Sequence, residues 1–162
     1  MQDIDGMVFQ VSQAGCILNV EMNASNCEFC SSSGGDLIWQ DALCRVVHIN
    51  DPGYAGFCRV IWNDHIREMS DLRQQDRDHL MRVVVSVEQA LLETLHPLKI
   101  NLASLGNITP HLHWHVIPRF ADDRHFPKPI WGEPQRDAIT RALPENWMNQ
   151  MSALIDRQWR QS

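Results

Sequence analysis

Hydrophobic and polar positions change period several times along this chain. Near the start, "MVFQV" and "CILNV" read as short strands, and "SSSGGD" (residues 31–36) reads as a flexible turn. "LCRVVHI" (43–49) and "FCRVIW" (57–62) flank the turn-rich "NDPGYAG" and predict an antiparallel strand pair. From near Asp71 the period becomes helical. Leu80, Val83, Val84, Val87, Leu91 and Leu95 recur on one stripe, Asp71 with Gln74 resembles a capping box, and Pro97 stops the run. "KINLASLG" (99–106) predicts another strand, and "NITP" turns the chain into "HLHWHVIPRF", whose limits Pro110 and Pro118 bracket. The tail, about 134–160, reads as helical, with Pro134 and Pro144 at first-turn positions. Trp147, Met148, Met151, Leu154 and Ile155 form its apolar stripe. These elements predict one α+β domain over residues 1–162: an antiparallel sheet of about five strands, one long helix and C-terminal helices.

Composition narrows the function classes. The chain has 162 residues, 44% of them hydrophobic and 21% charged, which suits one globular domain with a real core. A net charge of -6 argues against broad electrostatic binding to nucleic acid or to an anionic membrane. A small phosphate pocket built from backbone N–H groups and imidazoles remains compatible with it. "MQDIDGMVFQ" lacks a basic segment followed by a long apolar run, and no window is apolar enough to span a bilayer, so neither a signal peptide nor a membrane span is expected. Five cysteines in that setting predict reduced thiols and a cytoplasmic protein rather than a disulfide framework.

The chemistry concentrates in "HLHWHVI". Strand side chains alternate between faces, so His111, His113 and His115 share one face and Leu112, Trp114 and Val116 the other. A lone strand histidine is usually structural, but three in alternation cost desolvation that aliphatic residues would not. Residue chemistry alone leaves two functions open. His-x-His can bind a catalytic metal, with His111 and His113 as ligands. Alternatively the imidazoles act on phosphate, one as nucleophile and the others as donors.

The full pattern, His-apolar-His-apolar-His-apolar-apolar, resembles the signature of the histidine-triad (HIT) family of nucleotide hydrolases and transferases. The likeness runs from about Cys27 to Arg119 and leaves out the first twenty-odd residues and the C-terminal helices. It implies a HIT-like fold and a mechanism in which His113 attacks the α-phosphorus of a nucleotide. A nucleotidyl-imidazole intermediate forms and water or another acceptor resolves it, with His115 donating to phosphate oxygens or the leaving group. An imidazole with an ordinary pKa near ~6.5 carries its lone pair at neutral pH without a separate base. The resemblance further implies a homodimer and, as substrates, dinucleoside polyphosphates or nucleoside phosphoramidates. A nucleotidyl transferase or phosphorylase, and a nucleotide-binding regulatory module with little turnover, are the rival readings.

"CEFC" places Cys27 and Cys30 at Cys-x-x-Cys spacing, which is half a zinc site. A redox motif needs these thiols at the start of a helix, whereas "SSSGGD" follows. "RVIWNDHIREMSDL" resembles the corresponding stretch of galactose-1-phosphate uridylyltransferases and of zinc-containing bacterial triad proteins. That likeness implies a structural Zn²⁺ on Cys27, Cys30, His65 and His111, and no organic cofactor. Cys16, Cys44 and Cys58 read as small buried hydrophobes.

The remaining candidates are weaker. Asn101 and Asn107 fall near places where the family contacts nucleotide phosphate, and Asn50 and Asp51 lie on the turn that would meet the ribose, although turn formation alone explains residues of this type. Arg119 either balances phosphate charge or is a solvated surface side chain. Many family members have a histidine where this chain has Phe57. His48, His79, His96 and His125 belong to no motif. "HFPKPIWGEP" (125–134) is extended, with Trp131 as its anchor, and would wrap a neighbouring subunit or border the pocket.

Overall fold

The computed structural model describes residues 24–161. The short strands expected in "MVFQV" and "CILNV", and Cys16, lie outside these described residues. Five strands form one antiparallel sheet: β1 (Asp36–Gln40), β2 (Cys44–His48), β3 (Cys58–Trp62), β4 (Lys99–Ala103) and β5 (His113–Arg119), in the order β1-β2-β3-β5-β4. A single helical turn, α1 (Glu28–Ser31), precedes them, α2 (Gln74–Leu95) joins β3 to β4, and α3 (Trp147–Gln161) ends the described chain.

The sheet has one face for packing and one for chemistry. Cys44, Val46, Cys58, Val60, Trp62, Leu112 and Val116 pack with Leu80, Val83, Val84, Val87, Ala90 and Leu91 of α2 in one core. The i, i+3, i+4 spacing of those α2 residues puts them on one stripe, and each buried Val or Leu contributes about 1.5–3 kcal/mol. α3 closes the same layer through Trp147, Met151 and Ile155. Trp39 anchors it to β1 by donating from Nε1 to Asp156 Oδ1 at 2.7 Å. The opposite face carries the two rows Arg45–Ile61–His113 and Val47–Arg59–His115–Ala103, read across the paired strands.

Several boundaries differ from the sequence reading, each for a local reason. β1 was not marked by alternation because its register slips between Leu37 and Trp39, so Ile38 and Trp39 are both buried. The long helix starts at Gln74. Asp71 closes a short 3-10 turn, Met69–Asp71, and no side chain caps the helix at Arg73, which instead pairs with Asp76. The helix ends at Leu95, before Pro97, with His96 left-handed at φ 47°. Pro118 lies inside β5, opposite Ile100, beyond the last β3 partner Val116; only β4 pairs there, so the missing N–H costs no second ladder bond. In the tail, residues 133–146 are not helical, and α3 begins at Trp147. Ile139 is 50% exposed, so that stretch lacks the buried stripe a helix would need. Among the described residues, no helix is long and apolar enough to cross a membrane.

Candidate functional site

The site is assembled from the turn before β5, β5 itself, β3 and α1. His111 precedes the strand, and a pair of backbone bonds ties this turn to the end of β3: Trp62 N–H donates to Leu112 O at 3.1 Å and Leu112 N–H to Ile66 O at 2.6 Å. That docking sets His65 beside His111, ring centroids 5.3 Å apart. His113 and His115 then follow on β5, both nearly buried, with Phe29 of α1 edge-on to His111 at 5.7 Å and to His113 at 4.9 Å. Phe29 can lie this close because Gly34 turns the chain at φ +78°; a Cβ there would come within 2.9 Å of its ring. The expected shared face for the three histidines and the apolar opposite face are both present.

Hydrogen bonds fix the protonation pattern. His113 Nδ1 donates to the His111 carbonyl at 2.6 Å, which leaves Nε2 with the lone pair. That Nε2 lies 3.1 Å from His115 Nε2, so His115 is the donor between them. His115 Nδ1 is then unprotonated, and it is buried without a partner. Ser104, which the sequence reading passed over, holds the other end of the residue by donating to the His113 carbonyl at 2.8 Å. Burial lowers the pKa of His113; the bond to the His111 carbonyl opposes this, and the charges of Arg59 and His111 reinforce it. His115 is lowered to about 3, by burial first and then by His113 and Arg59. Both rings are therefore neutral at pH 7, as an attacking imidazole must be.

A second constellation adjoins the first. Cys27 sits at the N-terminal edge of α1 and Cys30 one turn later, so the single helical turn brings both thiols to one side. Their sulfurs lie 3.4 and 3.5 Å from His111 Nδ1, and Cys30 Sγ lies 3.3 Å from His65 Nδ1. The four ligand atoms of Cys27, Cys30, His65 and His111 are within 4.8 Å of one another. His111 Nε2 donates to the Trp62 carbonyl at 2.6 Å, which leaves the Nδ1 lone pair facing the thiols. A tetrahedral Zn²⁺ with bonds of about 2.3 Å to sulfur and about 2.0–2.1 Å to nitrogen separates its S and N ligands by about 3.5 Å. The residues present fit that ion. α1 is only one turn long, so the helix that a redox Cys-x-x-Cys needs is absent among the described residues.

The remaining candidates disperse. Arg119 is neither a surface side chain nor aimed at phosphate: it is 1% exposed and donates to both Asp123 oxygens, to Asn101 Oδ1 and to the Lys128 carbonyl. The Oδ1 of Asn101 is thus engaged in structure. Asp51 Oδ1 accepts from Gly53 N–H at 2.8 Å, closing the β2–β3 turn beside the exposed Asn50. Asn107 is exposed in the loop before the triad. Phe57 packs beside His115 at 5.6 Å. Trp131 borders the site: its ring meets His115 edge-on at 5.1 Å while remaining 52% exposed. Of the histidines outside the motif, His125 is bonded to the Tyr54 hydroxyl, His79 to Asp41 at 2.8 Å, and His48 packs on Trp147.

Comparison with known proteins agrees with this architecture. The family described as HIT domain matches residues 32–122, more than half of the chain. A histidine triad protein from Sinorhizobium meliloti is similar at 28% identity and TM-score 0.61, over 78% of this chain and 90% of that one. One from Bradyrhizobium japonicum matches at 27% identity and TM-score 0.60, over 76% and 90%. A zinc-bound histidine triad family protein from Mycobacterium smegmatis shares the fold at 21% identity and TM-score 0.61, over 86% and 100%. No curated protein matches. The triad geometry, the five-stranded sheet and the family match together make this chain a member of the HIT family.

Proposed function

We propose that the chain is a nucleotide hydrolase working through a covalent nucleotidyl-histidine. The observation that carries this reading is the His113 ring, whose Nδ1 is pinned as a donor so that Nε2 is the free base. His113 Nε2 attacks the α-phosphorus, forming a P–N bond as the bond to the leaving group breaks. The cationic ring that results keeps its Nδ1 proton on the His111 carbonyl. His115 Nε2–H, engaged with His113 in the free protein, turns to the leaving atom or a phosphoryl oxygen. Water then cleaves the P–N bond and releases a nucleoside monophosphate. Dinucleoside polyphosphates and nucleoside phosphoramidates present the required α-phosphorus.

Cys27, Cys30, His65 and His111 would hold a structural Zn²⁺, as the geometry above fits, and the Mycobacterium smegmatis relative is itself zinc-bound. Held there, such an ion would fasten α1 to the turn that carries the His111 carbonyl. A homodimer is the proposed assembly. β4 is a sheet edge, and exposed Leu102, Leu105 and Trp131 line a groove of about 660 Å³ beside it. The free thiols among the described residues suit a cytoplasmic setting.

The test is mass spectrometry of protein quenched during turnover with a panel of these nucleotides. A nucleotidyl adduct on His113, lost in His113→Ala, is expected. Turnover that survives His113→Ala would refute the covalent route.

A further inference from the structure

Three arginines lie on the strands of the sheet, and two are fully engaged. Arg119 is bonded to Asp123, Asn101 and the Lys128 carbonyl. Arg45 donates to the carbonyls of Phe29, Ser32 and Ser33 and to Asn63. The third, Arg59, makes no side-chain hydrogen bond and no ion pair among the described residues, and its Nε is buried without a partner. It is half-buried in the central strand β3, directly opposite His115. Its guanidinium carbon lies 5.5 Å from the centroid of Phe29 and 5.9 Å from that of Phe57. These are the same rings that pack against His113 and His115.

A guanidinium placed there works against the fold. Burial disfavours its charge, and the field of Glu28 and the faces of two phenyl rings offset this only in part. Aliphatic residues fill the neighbouring site-face positions Val47 and Ile61 without such cost. A planar cation with spare donors, set beside two aromatic rings and the candidate nucleophile, is suited to an anion with several oxygens.

Building on the hydrolase reading, we infer that Arg59 is a substrate-binding residue whose guanidinium takes the non-bridging phosphate oxygens of the nucleotide at the reacting phosphorus. The rings of Phe29 and Phe57 flank the guanidinium, and no protein acceptor competes for its donors among the described residues. In the attack they meet negative charge that builds on those oxygens, which is the charge most worth stabilising. Nothing in the pattern of the chain singles Arg59 out, because "CRVIW" reads as an ordinary strand.

The experiment compares wild type with Arg59→Leu and Arg59→Lys by calorimetric titration of AMP and of adenosine, and by melting with and without inorganic phosphate. Arg59→Leu is expected to weaken AMP binding roughly 10- to 100-fold, with adenosine unchanged. Arg59→Lys is expected to fall between the two. Phosphate should raise the melting midpoint of wild type but not of Arg59→Leu, and Arg59→Leu alone should melt close to wild type, since it gives up two ring contacts but no hydrogen bond or ion pair and relieves the burial of a charge. Equal loss for AMP and adenosine together with a lower melting midpoint would mark Arg59 as structural and overturn the inference, as would AMP binding left intact. A phosphate response that depends on Arg59 in a protein that never forms the His113 adduct would uphold the anion site while the hydrolase reading fails.

Discussion

His113 Nε2 lies 3.1 Å from His115 Nε2, so in the free protein the candidate nucleophile is hydrogen-bonded to its own neighbour. The two rings hold one proton between them, and each ring's other nitrogen fixes the arrangement: His113 Nδ1 donates to a carbonyl and His115 Nδ1 has no partner. On the proposed route, substrate draws the His115 proton towards phosphate and so uncovers the attacking lone pair. His113→Ala is expected to lower kcat/KM by about 10⁴-fold or more, and His115→Ala by roughly 10²–10⁴-fold. Steady-state kinetics on the nucleotide panel checks this. A His113→Ala protein with activity within tenfold of wild type would contradict the assignment.

The pH dependence follows from the same burial. The attacking ring must be neutral, and burial together with the Arg59 and His111 charges lowers the pKa of His113 in spite of its carbonyl bond. Protonation, and loss of kcat/KM, therefore comes only as pH falls below the ordinary imidazole range near ~6.5. A profile measured from pH 4 to 9 should stay flat through neutrality on its acid side. An acid limb centred above pH 7 would contradict it.

Cys27 Sγ stands 3.4 Å from His111 Nδ1, and His111 supplies the carbonyl that orients His113. Purified protein is expected to carry one zinc per chain by elemental analysis. Cys27→Ser with Cys30→Ser should abolish that zinc and lower the melting midpoint by about 10 °C, taking ~3 kcal/mol lost and ~2–4 °C per kcal/mol for a chain of this size. Metal-free protein with unchanged melting in the double variant would dismiss the site.

Arg119 and Asp123 form a buried pair that, with the bond from Arg119 to the Lys128 carbonyl, clamps residues 120–128 onto the sheet. Asp123→Asn leaves a buried guanidinium without its counter-charge and should cost about 3–5 kcal/mol, read by urea unfolding. Burial pushes the Asp123 carboxyl up, but Arg119's hydrogen bond and charge outweigh that and hold it below the usual carboxylate range. A depressed native pKa gives stability that is complete above the unfolded value near ~3.9 and is lost as pH falls through the native value. Wild type should lose stability steeply below about pH 4, and the Asn variant less so. Parallel acid limbs in the two proteins would rule out this pair as a source.

Trp131 touches His115 at 5.1 Å yet is half exposed, so its packing contributes little to the fold. Trp131→Ala is expected to change stability by less than about 0.5 kcal/mol while shifting kcat/KM about tenfold. Melting and kinetics on the same preparation separate the two effects. Unchanged kinetics would remove Trp131 from the site.

Much of this was legible in the chain. The 3.6-residue stripe of α2, the alternation of β5 and the α3 stripe are local regularities, and burial of one face follows directly from such periodicity. The triad pattern put His111, His113 and His115 on one face, and spacing with resemblance named Cys27, Cys30, His65 and His111 as one candidate ligand set, whose ligand atoms the fold gathers within 4.8 Å. Other features depend on partners distant in sequence. The bulge in β1 hides its alternation, Pro118 is tolerated because β3 stops pairing two residues earlier, and the tail before Trp147 has nothing to pack against. Above all, the three strand arginines look alike as sequence. Only the tertiary structure surrounds Arg45 and Arg119 with acceptors and leaves Arg59 bare beside the imidazoles, because hydrogen-bond satisfaction is a property of the three-dimensional neighbourhood and not of the residue.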